Sequence, residues 1–206
     1  MKKYYAGIGS RDTPLYIALK MTDIARLLES YNYILRSGGA NGADTAFEVG
    51  VNSSANMAIY LPKPYFNDHN YYDKGCIYID EKHNDYQKAF ESIALHPIGF
   101  KLKIGPRNMM IRNYFQAIGH DNQPISDFVI CWTPDGANGT TKLTSHESGG
   151  TGQCIRIAAK YGIPVYNLNS EYGELSAESI VNMILTNLND SINPHISIQQ
   201  KTTSLF

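Results

Sequence analysis

The chain has 206 residues, of which 43% are hydrophobic and only 18% charged, a balance that supports one packed domain and excludes a chain too polar to bury a core. The formal net charge of −1 argues against a protein that wraps nucleic acid mainly through counterion release. Three separated cysteines, Cys76, Cys131 and Cys154, offer neither a zinc spacing nor a disulfide framework, so no metal is expected.

Met1 to Gly7 carries basic residues but no long apolar run, so no signal peptide is expected there. No stretch of about 18 apolar residues predicts a membrane span. A reducing, cytoplasmic setting is the simplest expectation. Asn138-Gly139-Thr140 matches a glycosylation acceptor and, without a secretion signal, reads as chance. Lys3 to Ile8 reads as a first strand. Thr13 and Pro14 predict the cap and first position of a helix whose apolar face holds Leu15, Ala18, Leu19, Ile24, Leu27 and Leu28. Tyr33 to Leu35 is a second strand, followed by a glycine-rich loop and a helix from about Ala43 to Val51. Met57 to Leu61 is a third strand, closed by Pro62 and Pro64.

Residues 65–105 read as an irregular insertion, helical only over Tyr86 to Leu95, and a segment of this length suggests a functional loop or lid. Pro106 opens a helix to about Ile118. Phe128-Val129-Ile130-Cys131-Trp132 is a continuous apolar run, as a buried parallel strand requires. A second glycine-rich stretch, Thr133 to Gly152, leads into a helix capped at Gly162. Pro164 to Leu168 is a fifth strand, and Ser176 caps a last helix to Leu188. Residues 1–189 therefore read as one α/β, Rossmann-like, doubly wound domain with a mostly parallel sheet of five or more strands. Residues 190–206, rich in Ser, Thr, Gln and Asn, read as a loosely held tail.

In such a sheet, ligands bind beyond the carboxyl ends of the strands near the switch in strand order. That brings together Gly7 to Arg11, Ser37 to Thr45 and Thr133 to Gly152. Glycine lets a ligand approach the backbone, and successive N–H groups entering a helix hold anions. Gly9, Ser10, Arg11, Ser37, Gly38, Gly39, Ala40, Asn41, Gly42, Thr45, Gly149, Gly150, Thr151 and Gly152 are therefore candidate phosphate ligands. Asp44 either caps its helix or accepts bonds from ribose hydroxyls, and Thr151 either bonds a phosphate oxygen or caps. Arg11, Arg107 and Arg112 are candidate phosphate partners, since arginine grips phosphate bidentately. Glu91, Glu147 and Asp135 are candidate general bases or ribose contacts. No Walker A lysine occurs, Gly7-Ile8-Gly9 lacks the third glycine of the dinucleotide fingerprint, and no nucleophile elbow surrounds Ser145.

Gly7-Ile8-Gly9-Ser10-Arg11, Ser37-Gly38-Gly39-Ala40-Asn41-Gly42-Ala43-Asp44-Thr45-Ala46, Arg107-Asn108, Met110-Ile111-Arg112-Asn113 and Gly149-Gly150-Thr151 to Gly162-Ile163-Pro164-Val165 occur in that order. This arrangement resembles the SLOG superfamily of Rossmann-like proteins, which includes DprA, the LOG phosphoribohydrolases and the YAcAr family. The resemblance spans residues 3–168 without 65–105. It implies a nucleotide-type pocket built by these loops, with Asn113 among the ligand contacts and no cofactor. LOG enzymes carry Pro-Gly-Gly-x-Gly-Thr-x-x-Glu with a catalytic glutamate and an upstream arginine. Here Ser148-Gly149-Gly150-Thr151-Gly152-Gln153-Cys154-Ile155-Arg156 lacks that glutamate. N-glycosidic hydrolysis would then need Glu91 or Glu147 to substitute, with Arg107 or Arg112 as the arginine. The expected ligand is a small nucleotide or nucleotide-derived molecule, with single-stranded DNA the less favoured partner. The protein is expected to be homo-oligomeric.

Overall fold

A computed structural model describes residues 2–192. The chain opens with β1 (Lys3–Gly7), whose last four residues are buried. Helix α1 (Leu15–Ser30) follows. Its buried stripe is Ile17, Met21, Ile24, Ala25 and Leu28, at helical spacing. Leu15 and Leu19, expected on that face, are 74% and 60% exposed. Thr13 does not cap the helix. Its hydroxyl donates to the Ser10 carbonyl at 2.8 Å, and Pro14 stands at the N-cap.

Strand β2 (Tyr33–Ser37), helix α2 (Ala43–Gly50) and β3 (Met57–Leu61) complete a first βαβαβ unit. The expected irregular insertion carries structure. A two-residue hairpin, β4 (Tyr65–Phe66) with β5 (His69–Asn70), precedes β6 (Cys76–Tyr78) and α3 (Tyr86–Glu91). The predicted helix to Leu95 tightens into a 3-10 turn over Ser92–Leu95. Then come α4 (Ile104–Ile118), β7 (Phe128–Cys131), α5 (Thr151–Lys160), β8 (Val165–Asn167) and α6 (Ala177–Ile192). Ser176 accepts from the Ser179 N–H, the capping bond its position predicted. Gly162, at φ +68°, ends α5, with the Ile163 N–H reaching back to Ala158. Helix α6 runs beyond residue 189, and residues 193–206 of the expected tail lie outside the described residues.

Among the described residues, six strands form one sheet in the order β6-β3-β2-β1-β7-β8, and every pairing is parallel. The fold is thus α/β and Rossmann-like. Two apolar clusters cover the sheet. One joins α1, α2 and α6 through Met21, Phe47 and Ile180, and the other joins α4 and α5 through Phe115 and Ile155. The order reverses at β1, so the chain leaves β1 toward one edge and returns at β7 toward the other. That opens a crevice beyond the carboxyl ends of β1 and β7.

Candidate functional site

The crevice is held open by backbone bonds that only glycine-rich loops permit. The Ser10 N–H donates to Trp132 at 3.0 Å, and the Ala43 N–H donates to Ser10 at 3.2 Å. The β1–α1 loop is therefore clamped between the end of β7 and the start of α2. A Cβ at Gly9 would stand 2.6 Å from the Ala43 Cβ and 3.0 Å from the Trp132 carbonyl, which excludes any larger residue there.

A cavity of about 300 Å³ lies above this clamp. Its walls bring together Gly9, Ser10 and Arg11 from the first loop, Ala40 and Asp44 from the second, Arg112 and Asn113 from α4, and Gly149, Gly150 and Thr151 from the turn into α5. These are ten of the residues read from the sequence as ligand contacts. Ile8, Asp12, Met109, Met110, Gln116 and Ser148 complete the lining. Gln116, one turn of α4 beyond Arg112, carried no glycine or charge signal and was missed. Its helical spacing from Arg112 and Asn113 is the signal that could have found it.

The loop Ser37 to Thr45 is not the open anion nest its glycines suggested. With its amide oriented to suit its neighbours, Gln116 accepts from the Gly38 N–H at 3.1 Å and from Arg112 Nη1 at 2.7 Å. The Ala40 N–H donates to Asp44 at 3.3 Å, and the Thr45 N–H and hydroxyl both donate to Ala40. The Ser37 hydroxyl donates to Gly7 at 2.8 Å. The donors of Ser37, Gly38, Ala40, Ala43 and Thr45 are used within the fold, so this part of the loop buttresses the cavity. Gly39 packs against His69, whose side chain meets Glu48 at 3.1 Å. The hydrogen bond and charge of Glu48 raise the His69 pKa. Asn41, Gly42 and Thr45 face a separate shallow hollow with exposed Leu15, Leu19 and Val49.

The free donors lie across the cavity. No side chain caps α5, whose N-cap residue is Gly150, and Thr151 follows as its first residue. The Ser10 hydroxyl accepts from the Asp12 N–H at 3.1 Å, which leaves its proton to give. Arg11 is exposed and makes no ion pair with the described residues. Asn113 Nδ2 donates to Gly150 at 2.8 Å and so fixes α4 against the α5 entrance.

Beneath these groups lies a buried ion pair. Asp44 and Arg112 are 3% and 4% exposed, with 3.6 Å between carboxylate and guanidinium. Burial pushes the Asp44 carboxyl up to about 6 against the opposing pull of Arg112. Arg112 Nε is buried without a partner among the described residues. No side chain caps α2: Asp44 stands in its first turn and accepts from the Ala40 N–H in the loop ahead of the helix, and its carboxyl lines the cavity.

Several sequence candidates lie elsewhere. Arg107 donates to the Phe100 and Leu102 carbonyls at 3.1 and 2.9 Å and does not line the cavity. Gly152 is buried in α5, where a Cβ would meet Ser148 at 2.8 Å. Glu91 is exposed on α3 and accepts from Gln87, and Glu147 is exposed in the turn before α5. Neither lines the cavity. Asp135 accepts from the hydroxyls of Ser145 and Ser148. Burial alone would raise its carboxyl, but these bonds and one from Thr133 hold it well below the usual carboxylate range. That makes it a brace for the loop and a poor base. None of the helices in the described residues is long and apolar enough to cross a membrane.

No family model matches this chain, and no curated protein matches it in sequence. In structure it is similar to DNA processing protein A from Helicobacter pylori, described for its single-stranded DNA binding mode. That similarity has a TM-score of 0.56 at 18% identity and covers 94% of this chain and 81% of that one. The likeness establishes a shared α/β fold.

Proposed function

We propose that the cavity binds the phosphate of a nucleotide unit, presented by a single strand of DNA. The observation that carries this reading is the convergence of unspent anion donors on one cavity: Arg11, the Ser10 hydroxyl and the uncapped start of α5. Together they form a phosphate site of the kind built at helix N-termini. The structural neighbour's single-stranded DNA binding supports the strand as the source of that phosphate.

The test is fluorescence anisotropy of a labelled oligothymidylate, titrated at rising salt with inorganic phosphate as competitor. Binding that weakens with salt, yields to phosphate and is lost in Arg11→Ala supports the proposal. An unbound strand at low salt overturns it.

A free nucleotide is the second reading, favoured by the cavity volume of about 300 Å³, which lies in the range of small-molecule sites. In that reading Asp44, not Glu91 or Glu147, is the cavity's buried carboxyl. Its pKa of about 6 suits proton transfer near neutral pH. Release of free base from a nucleoside monophosphate, lost in Asp44→Asn, would establish it.

A further inference from the structure

The phosphate cavity does not end at Arg11. A second hollow of about 500 Å³ adjoins it and shares Arg11, Met109 and Met110 with it. Its floor is apolar: Pro62 and Phe66 from the segment after β3, and Pro106 with the two methionines from the start of α4. It is lined by no carboxylate. Arg11 stands at the junction with the cavity, and Lys63, exposed and without an ion pair among the described residues, is the hollow's other cation. Asn108 adds a half-buried carboxamide that makes no hydrogen bond with the described residues.

This pattern has a chemical counterpart. A cation, an apolar floor with one free amide, and a second cation follow the repeat of phosphate, base and next phosphate along a single strand. Thioethers favour contact with a π-face, and a carboxamide can donate to and accept from a base edge. The absence of acidic groups removes the repulsion that would bar a polyanion.

We infer that this hollow seats a nucleobase of the bound strand, with Asn108 at the base edge and Lys63 at the phosphate that follows. The inference rests on the reading of the neighbouring cavity as a phosphate site. It assigns a function to the Pro62–Phe66 segment, the first part of the region that separates β3 from α3.

The experiment compares a labelled six-nucleotide oligothymidylate with an abasic strand of the same length, each titrated into the full chain and into Asn108→Ala and Lys63→Ala. Both variants change exposed or half-buried side chains, and urea unfolding checks that each is folded. The normal strand should bind about tenfold more tightly than the abasic strand, the scale of one stacked base. Asn108→Ala should weaken the normal strand and leave the abasic strand unchanged. Lys63→Ala should weaken both and flatten the salt dependence. Equal binding of the two strands by the unaltered chain overturns the base site while the phosphate reading stands. Failure of both strands to bind overturns the two together.

Discussion

Gly38→Ala tests the architecture beneath the cavity. A Cβ at Gly38 would lie 1.5 Å from Arg112 Nη1 and 2.3 Å from its Cζ. Carbon and nitrogen atoms in contact need roughly 3.5 Å, so the guanidinium must shift by about 2 Å. That shift breaks its 2.7 Å bond to Gln116 and its 3.6 Å pairing with Asp44. It leaves a carboxylate that is 3% exposed without its cation. Removing one partner of a buried pair costs about 3–5 kcal/mol, a large share of a total stability of about 5–15 kcal/mol. Urea unfolding followed by Trp132 fluorescence should show a midpoint lowered accordingly. Gly150→Ala is the control, because its Cβ would meet only the Met110 methyl, at 3.6 Å, from an ordinary helical φ of −64°. Its stability should stay within about 0.5 kcal/mol of the starting protein. The Gly38→Ala cost should also shrink in an Arg112→Ala background, since only the Gln116 amide, at 2.5 Å, then stands in the way. A Gly38→Ala protein within about 1 kcal/mol of the unaltered chain would refute the reasoning.

Arg11→Ala should leave the unfolding curve unchanged and weaken phosphate-containing ligands at least tenfold in a titration, as loss of a charge-assisted bond worth about 1.5–3 kcal/mol predicts. Burial raises Asp44 above its unfolded value, so its neutral form is favoured in the fold. Stability should therefore fall as pH rises from about 4 to about 6, and the stability difference from Asp44→Asn should carry that slope; a pH-independent difference would contradict it. Asp135 shows the opposite sign. Its depressed pKa stabilises the fold above the unfolded value, so that contribution is lost as pH falls toward it. Asp135→Asn should remove this acid-dependent loss in thermal unfolding across the acid range. Asn113→Ala leaves the Gly150 carbonyl with the Gln153 N–H alone and removes the tie to α4, and hydrogen exchange at the first turn of α5 should quicken.

The sequence by itself determined the alternation of strands and helices and which loops line the crevice. Those features are local. Phe128 to Trp132 is apolar throughout because a parallel strand is buried on both faces, and glycine-rich turns follow strands wherever backbones approach closely. The cavity's glycine-rich and arginine walls were legible for the same reason. The short edge strand β6 was not, because three residues carry no readable period. The buried stripe of α1 was misread at Leu15 and Leu19 because both faces near its start are apolar, and only packing against α2 and α6 chooses between them. Tertiary structure also decided which donors remain free. The glycines of Ser37 to Thr45 and those of Gly149 to Gly150 look alike in the chain. In the first, Gln116, Asp44 and Ser10 take the N–H groups of Gly38, Ala40 and Ala43, while no side chain caps the second. A hydrogen-bond donor is used up by whatever the fold brings within 3 Å of it, and that neighbour is set by packing across the sheet, not by the residues beside it in sequence.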